Sequence, residues 1–268
     1  MKNDSYILFQ NFEMQMKRLS SLSSFLAVKA EFEAEGTRID ELAILSELCC
    51  KNSVPLTLKI GGPSAQRDIY EAFQLGATNI LVPMVESKYG VNYAAEIFLK
   101  YLPVFNRFKT KPNLFINIES KQGIKNIDSI IEAVYKENMP IKRIVIGRKD
   151  LSYSLGINNV NCEKIYEISK ELIIRSSLCS LKTTIGGNLT NQSYKFIKNL
   201  SYLGLDSFES RKCTFKANKH FSSTEFEELI KDSLEFELSW LYYKKNLYAN
   251  NSNEENIRIK SILARLRR

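Results

Sequence analysis

Two acids stand at the ends of consecutive apolar segments. Glu119 closes residues 113–119 (NLFINIE), and Asp150 follows residues 142–147 (KRIVIG) within 147–156 (GRKDLSYSLG). If these segments are neighbouring strands, their carboxyl ends lie side by side and the two carboxylates can meet at one point. Two carboxylates with no histidine suit a hard, oxygen-liganded ion, Mg²⁺ or Mn²⁺, completed by water and substrate oxygens. The single histidine, His220, excludes a histidine-rich metal site and any mechanism that needs two imidazoles. The cysteines, Cys49, Cys50, Cys162, Cys179 and Cys213, include no CxxC pair, and the odd, scattered set reads as reduced buried thiols of a cytoplasmic protein.

The elements that must position these acids follow from periodicity. Residues 26–34, 55–61, 79–85, 113–119, 142–147 and 180–186 read as strands, and 205–215 contains a seventh. Helical patterns cover 11–22, 37–50, 65–75, 89–101, 126–135, 163–175 and 192–203. Alternation with short links implies parallel strands joined by right-handed crossovers. The expected fold is a parallel (β/α)8 barrel of the TIM type with a shortened or irregular first unit. An eighth strand is not evident; residues 5–9 (SYILF) are one source for it. The barrel is expected over 1–221, followed by a C-terminal helical extension over 222–268.

Helix-facing strand positions of such a barrel are apolar, and alternate positions point inside. That rule turns Lys29, Glu31, Glu33, Thr57, Lys59, Asn117, Glu119, Lys182, Thr184, Ser207, Glu209 and Arg211 inward. Buried charges must be paired or bind a ligand. Barrel active sites lie at the carboxyl ends of strands, so Glu33, Lys59, Glu119 and Arg211, late in their segments, are the better site candidates. Lys29 and Lys182 come earlier and read as structural.

Three segments, 76–87 (GATNILVPMVES), 114–131 (LFINIESKQGIKNIDSII) and 144–156 (IVIGRKDLSYSLG), resemble the HpcH/HpaI aldolase and citrate lyase beta-subunit superfamily. The resemblance extends over about 27–215. It implies a barrel of the pyruvate/phosphoenolpyruvate type, Glu119 and Asp150 as metal ligands, Mg²⁺ (or Mn²⁺) as cofactor, and a small anionic 2-oxo or hydroxy acid as substrate. Two departures stand out. Ala34 occupies the place of a histidine base, and Lys59 is the nearest cation where the family has an arginine.

The expected activity is therefore a metal-dependent carbon–carbon lyase or aldolase working through a pyruvate-type enolate. Lys59 would stabilise the enolate, Glu33 or Glu35 would move the proton, and Arg211 or Arg148 would hold a carboxylate, with Glu86 a further candidate of the pocket. The alternatives are a citryl-CoA-type lyase and a non-catalytic barrel kept for ligand binding or assembly.

The net charge of +8 favours an anionic partner without naming one. No apolar run approaches the roughly 18 residues that span a membrane, so no membrane segment is expected. The basic segment 254–268, with Arg258, Lys260, Arg265, Arg267 and Arg268, reads as a solvated face rather than a nucleic-acid site. Residues 225–248 form one helical pattern carrying Leu229, Phe236, Trp240, Tyr243 and Leu247. So much apolar surface leads to the expectation of a homo-oligomer formed through this helix.

Overall fold

The computed structural model describes residues 2–105, 111–247 and 252–267. Eight strands close into one barrel in sequence order: β1 Phe25–Glu31, β2 Leu56–Lys59, β3 Asn79–Val82, β4 Asn113–Ile118, β5 Ile141–Gly147, β6 Lys182–Gly186, β7 Ser207–Glu209 and β8 Cys213–Lys216. The first seven run parallel to one another, as the alternation implies. β8 does not: it is antiparallel to both β7 and β1. The eighth strand is thus the return arm of a hairpin, and residues 5–9 lie instead in helix α1, Lys2–Ser20. Seven crossovers would need a further helix; the turn at Ser210 closes the barrel without one, with the Ser210 amide donating to the Cys213 carbonyl at 2.8 Å.

The helices around the barrel are α2 Ile39–Lys51, α3 Gln66–Gln74, α4 Lys88–Phe105, α5 Lys121–Lys125, α6 Ile127–Val134, α7 Arg148–Ser154, α8 Glu163–Leu178 and α9 Tyr194–Tyr202. The apolar strand positions face them: Val28, Ala30, Leu56, Leu58, Leu114, Ile116 and Ile118 are all buried. Each strand therefore carries its helix-binding face and its interior face on alternate residues. The cysteines are all free, but only Cys49 and Cys213 are buried, so the expectation of five buried thiols holds for two of them. Among the described residues no helix is long and apolar enough to cross a membrane.

Two further helices follow β8: α10 Ser223–Leu247 and α11 Ser252–Leu266. Tyr248, Asn250, Asn251 and Arg268 lie outside the described residues, while Ser252 and Asn253 open α11. The apolar stripe of α10 is covered within the chain. Phe12 of α1 packs on Phe236 and Trp240 with ring centroids 5.2 Å apart, and Arg18 pairs with Asp232 at 2.6 Å. Phe236 and Trp240 are buried by these contacts. The surplus of apolar surface that pointed to subunit contact through this helix is absorbed by α1. Arg258, expected on a solvated face, instead pairs with the buried Glu237.

Candidate active site

A cavity of about 340 Å³ opens at the carboxyl ends of the strands, lined by Glu31, Glu33, Ala34, Lys59, Met84, Glu119 and Asp150 among others. Glu119 forms its floor. β4 and β5 pair in register up to Ile118 and Ile146, which carries the Glu119 side chain against Gly147. A Cβ at Gly147 would stand 2.6 Å from Glu119 Oε2, so only glycine lets the carboxylate lie there. α7 starts at once, at Arg148, and its first turn brings Asp150 to the same cavity. Gly61, after β2, does the same for Glu33: a Cβ there would meet Glu33 Oε1 at 2.7 Å.

Both Glu119 oxygens are already held. Oε2 accepts from Asn117 Nδ2 at 2.6 Å and lies 3.5 Å from Lys59 Nζ; Oε1 accepts from the Met84 amide at 3.1 Å. Met84 presents that amide by adopting a left-handed backbone, φ 51°. For a residue other than glycine this conformation costs about 1–3 kcal/mol, and such strain collects at functional sites. Burial raises the Glu119 carboxyl above its usual range, and the Asp150 charge adds to it, against the opposing pull of Lys59 and the Met84 amide. One layer deeper the balance reverses. Lys29 Nζ sits 2.7 Å from Glu209 and 3.1 Å from Glu31. Burial works against the Glu31 carboxylate, but Lys29 and Lys59 outweigh it and hold its pKa at about 2.

A sequence model of the HpcH/HpaI aldolase/citrate lyase family matches residues 39–178, more than half of the chain. The chain belongs to this family. The family is one of aldolases and citrate lyases, and membership supports a carbon–carbon lyase activity of that general kind. Solved structures with the same fold include an HpcH/HpaI aldolase from Desulfitobacterium hafniense DCB-2, 16% identical, with a TM-score of 0.58 over 68% of this chain and 75% of that one. A second is an HpcH/HpaI aldolase/citrate lyase family protein from Burkholderia cenocepacia J2315, 11% identical, TM-score 0.58, over 74% and 83%. A third is a variant of the citrate synthase SbnG, 16% identical, TM-score 0.55, over 74% and 81%. At these identities the likeness shows the fold. No curated protein matches the sequence.

Within this family barrel, the residues singled out by sequence separate into two groups. Glu33, Lys59, Glu119 and Asp150 line one cavity, and Ala34 forms its wall where the resemblance implies a histidine. The others stand apart. Arg148 is fully buried; its guanidinium donates to the carbonyls of Gly186 and Gly187 at 3.0 Å and to Asn161 at 2.6 Å, and it lies over the Phe196 ring. It braces the β6 end from behind and has no surface to offer a substrate, because α7 begins at this residue and turns it away from the barrel axis. Burial alone lowers its pKa to about 9. Arg211 sits in the β7–β8 turn, 3.8 Å from Glu237 and 3.9 Å from Glu35, outside the cavity lining. The period-two rule fails there because the strand ends at Glu209 and the turn rotates the next side chains. Lys212, which the sequence reading passed over, takes the inward place and pairs with Glu35. Glu35 is therefore an anchor for the turn, and Glu86 accepts from Ser120 Oγ at 2.5 Å without lining the cavity. His220 is exposed beyond β8.

The donor set fits a divalent ion of the oxygen-loving kind. Among the described residues no group of three or more histidine, cysteine, aspartate or glutamate side chains is arranged as a metal site. Mg²⁺, however, is commonly held by one or two carboxylates, with water and substrate supplying the rest. Glu119 is a buried carboxylate whose charge is undercompensated, and Asn117 Oδ1, buried beside it, has no hydrogen-bond partner. A cation would satisfy both.

Proposed function

We propose that the chain is a metal-dependent carbon–carbon lyase or aldolase acting on a small 2-oxo or hydroxy acid through a pyruvate-type enolate. The observation that carries this reading is the convergence of Glu119, Asp150, Lys59 and Glu33 on one cavity at the carboxyl ends of the strands. Glu119 and Asp150 would hold Mg²⁺ or Mn²⁺, which when bound supplies a Lewis acid for the oxygens of the substrate. Lys59 is the one cation lining the cavity among the described residues, so it neutralises the oxygen charge that develops as the carbon–carbon bond breaks. An ammonium offers a point charge rather than a planar fork, so the acid is anchored more loosely than by a guanidinium. Glu33 moves the proton: it is exposed in the cavity and, unlike Glu35, has no cation paired to it among the described residues. Arg148, Arg211, Glu35 and Glu86 act, in this reading, as supports of the loops around the site. We place the protein in the cytoplasm and assign the barrel to 1–221 and the helical extension to 222–268; the chain self-associates, using a face other than the covered stripe of α10.

The test is hydrogen–deuterium exchange of the pyruvate methyl group, followed by NMR in the presence of Mn²⁺. Exchange is expected in the native chain and lost in Lys59→Met and Glu119→Gln. Absence of exchange with pyruvate and oxaloacetate, together with absence of Mn²⁺ binding by calorimetry, overturns the reading.

A further inference from the structure

A second cavity, larger than that at the mouth, opens at the other end of the barrel. It measures about 740 Å³ against about 340 Å³ at the mouth, and it opens among the amino ends of the strands. Its charge is opposite to that of the mouth. Among the described residues Lys111, Lys142, Arg143 and Lys182 line it, with Glu209 as the one acid. Glu209 is already engaged by Lys29 at 2.7 Å. Among the described residues the three lysines form no ion pair.

Arg143 stands at the centre of this arrangement. The alternation of β5 turns Ile144 and Ile146 to the helices and Arg143 to the barrel axis. Its Nη1 donates to Thr184 Oγ1 at 2.6 Å and to Ser207 Oγ, and its guanidinium lies 5.3 Å from the centre of the Phe115 ring. Thr184 and Ser207 are also bonded to each other at 2.6 Å, so neither depends on the arginine. Arg143 Nε is buried and has no hydrogen-bond partner. The nearby Asp206 spends its carboxylate on the Thr183 amide at 2.7 Å. Desolvation makes the guanidinium less comfortable than in water, and Asp206 and Glu209, neither of which forms an ion pair with it, only partly offset this. A mostly buried guanidinium with a free donor and no carboxylate is costly to keep for structure alone. It is the arrangement that binds planar or tetrahedral oxyanions.

We propose that the floor cavity is a second binding site, which takes a small oxyanion, a phosphate or carboxylate group, on Arg143, with Lys142 and Lys182 at the rim drawing it in. Phe115 fixes the plane of the guanidinium, and Nη2, which has no hydrogen-bond partner among the described residues and is not among the fully buried atoms, is the donor that the anion would accept. The site is separate from the acidic mouth, and its ligand need not be the substrate.

Calorimetric titration of the intact chain with inorganic phosphate and, separately, with citrate tests this. Saturable binding of at least one is expected. Affinity should fall by roughly 10- to 100-fold in Arg143→Met, the loss of a charge-assisted hydrogen-bonding group. It should fall several-fold in the Lys142→Ala/Lys182→Ala double variant, whose substitutions are at exposed positions and spare the fold. It should be unchanged in Lys59→Met, which separates this site from the mouth. Phosphate without citrate identifies a phosphate group as the ligand chemistry, and citrate without phosphate a carboxylate. No saturable binding of either anion, equal affinity in the native chain and the double variant, or loss in Lys59→Met with retention in Arg143→Met each overturns the proposal.

Discussion

The two ends of the barrel use the same eight strands and carry opposite charge. At the mouth Glu33, Glu119 and Asp150 outnumber Lys59; at the floor Lys111, Lys142, Arg143 and Lys182 outnumber Glu209. Between them lies a closed layer in which Lys29 bridges Glu31 and Glu209. The titration behaviour follows the layers. In the middle, Glu31 is pushed down and Lys29 up, so each favours its charged form. At the ends, Glu119 is pushed up and Arg143 down, so burial disfavours the charge. The middle layer is charge satisfied by charge and supports the fold. The end layers hold charge that the protein does not itself neutralise, which is what a site awaiting an ionic partner requires.

Breaking the middle layer should have the largest effect. Lys29→Met leaves two buried carboxylates without their cation, and a loss of about 3–5 kcal/mol is expected in urea unfolding. A loss below about 1 kcal/mol would show that the layer contributes no more than a surface pair. Acid should act on the same layer. Glu31 titrates near 4.5 when unfolded and at about 2 when folded, so its contribution is complete above the unfolded value and disappears as the pH falls from about 4.5 to 2. In Glu31→Gln the stability between those limits should be flatter with pH than in the native chain, the difference being of the order of 2–3 kcal/mol.

At the mouth, Gly147→Ala forces a methyl group to 2.6 Å from the Glu119 carboxylate. Overpacking of this kind costs about 1–3 kcal/mol, and Mn²⁺ affinity measured by calorimetry should fall with it. Unaltered Mn²⁺ binding would place the ion elsewhere. The smallest effect on the fold is expected from Glu119→Gln. Because burial raises this carboxyl, the neutral amide should leave thermal stability unchanged or raise it while metal binding is lost. A clear destabilisation would assign Glu119 to the fold rather than to the site.

Much of this layering is written in strand alternation. The inward positions of Lys29, Glu31, Lys59, Glu119 and Glu209 follow from the apolar residue that precedes each and the alternation it sets, and the structure pairs them. Arg143 obeys the same alternation, but attention to carboxyl ends passes over a cation at the start of a strand. What alternation does not encode is what happens where strands stop. β8 has only four residues and follows a turn with no glycine or proline to mark it, so it merges with β7 in the sequence. Arg211 and Lys212 exchange roles in that turn, and Arg148 is carried away from the axis by a helix that starts without a linker. The part played by Gly147 depends on a glutamate from the neighbouring strand, a contact with no local signature. The covering of α10 depends on α1, more than two hundred residues upstream, by contacts such as that of Phe12 with Trp240.

That last contact has a consequence for how the chain is made. The barrel is sealed where β1 meets β8, and the Lys29–Glu209 bond across this seam joins residues 180 positions apart. α1 and α10 fasten the same seam from outside. A ribosome must therefore release nearly the whole polypeptide before its first strand finds its last neighbour, and closure of loops this long slows folding. Until then β1 is an open edge, the kind of surface that recruits strands from other chains. The cell's window for misassembly is thus set by the time from synthesis of β1 to synthesis of α10, and α1 and α10, packed on one another, act as the latch that ends it.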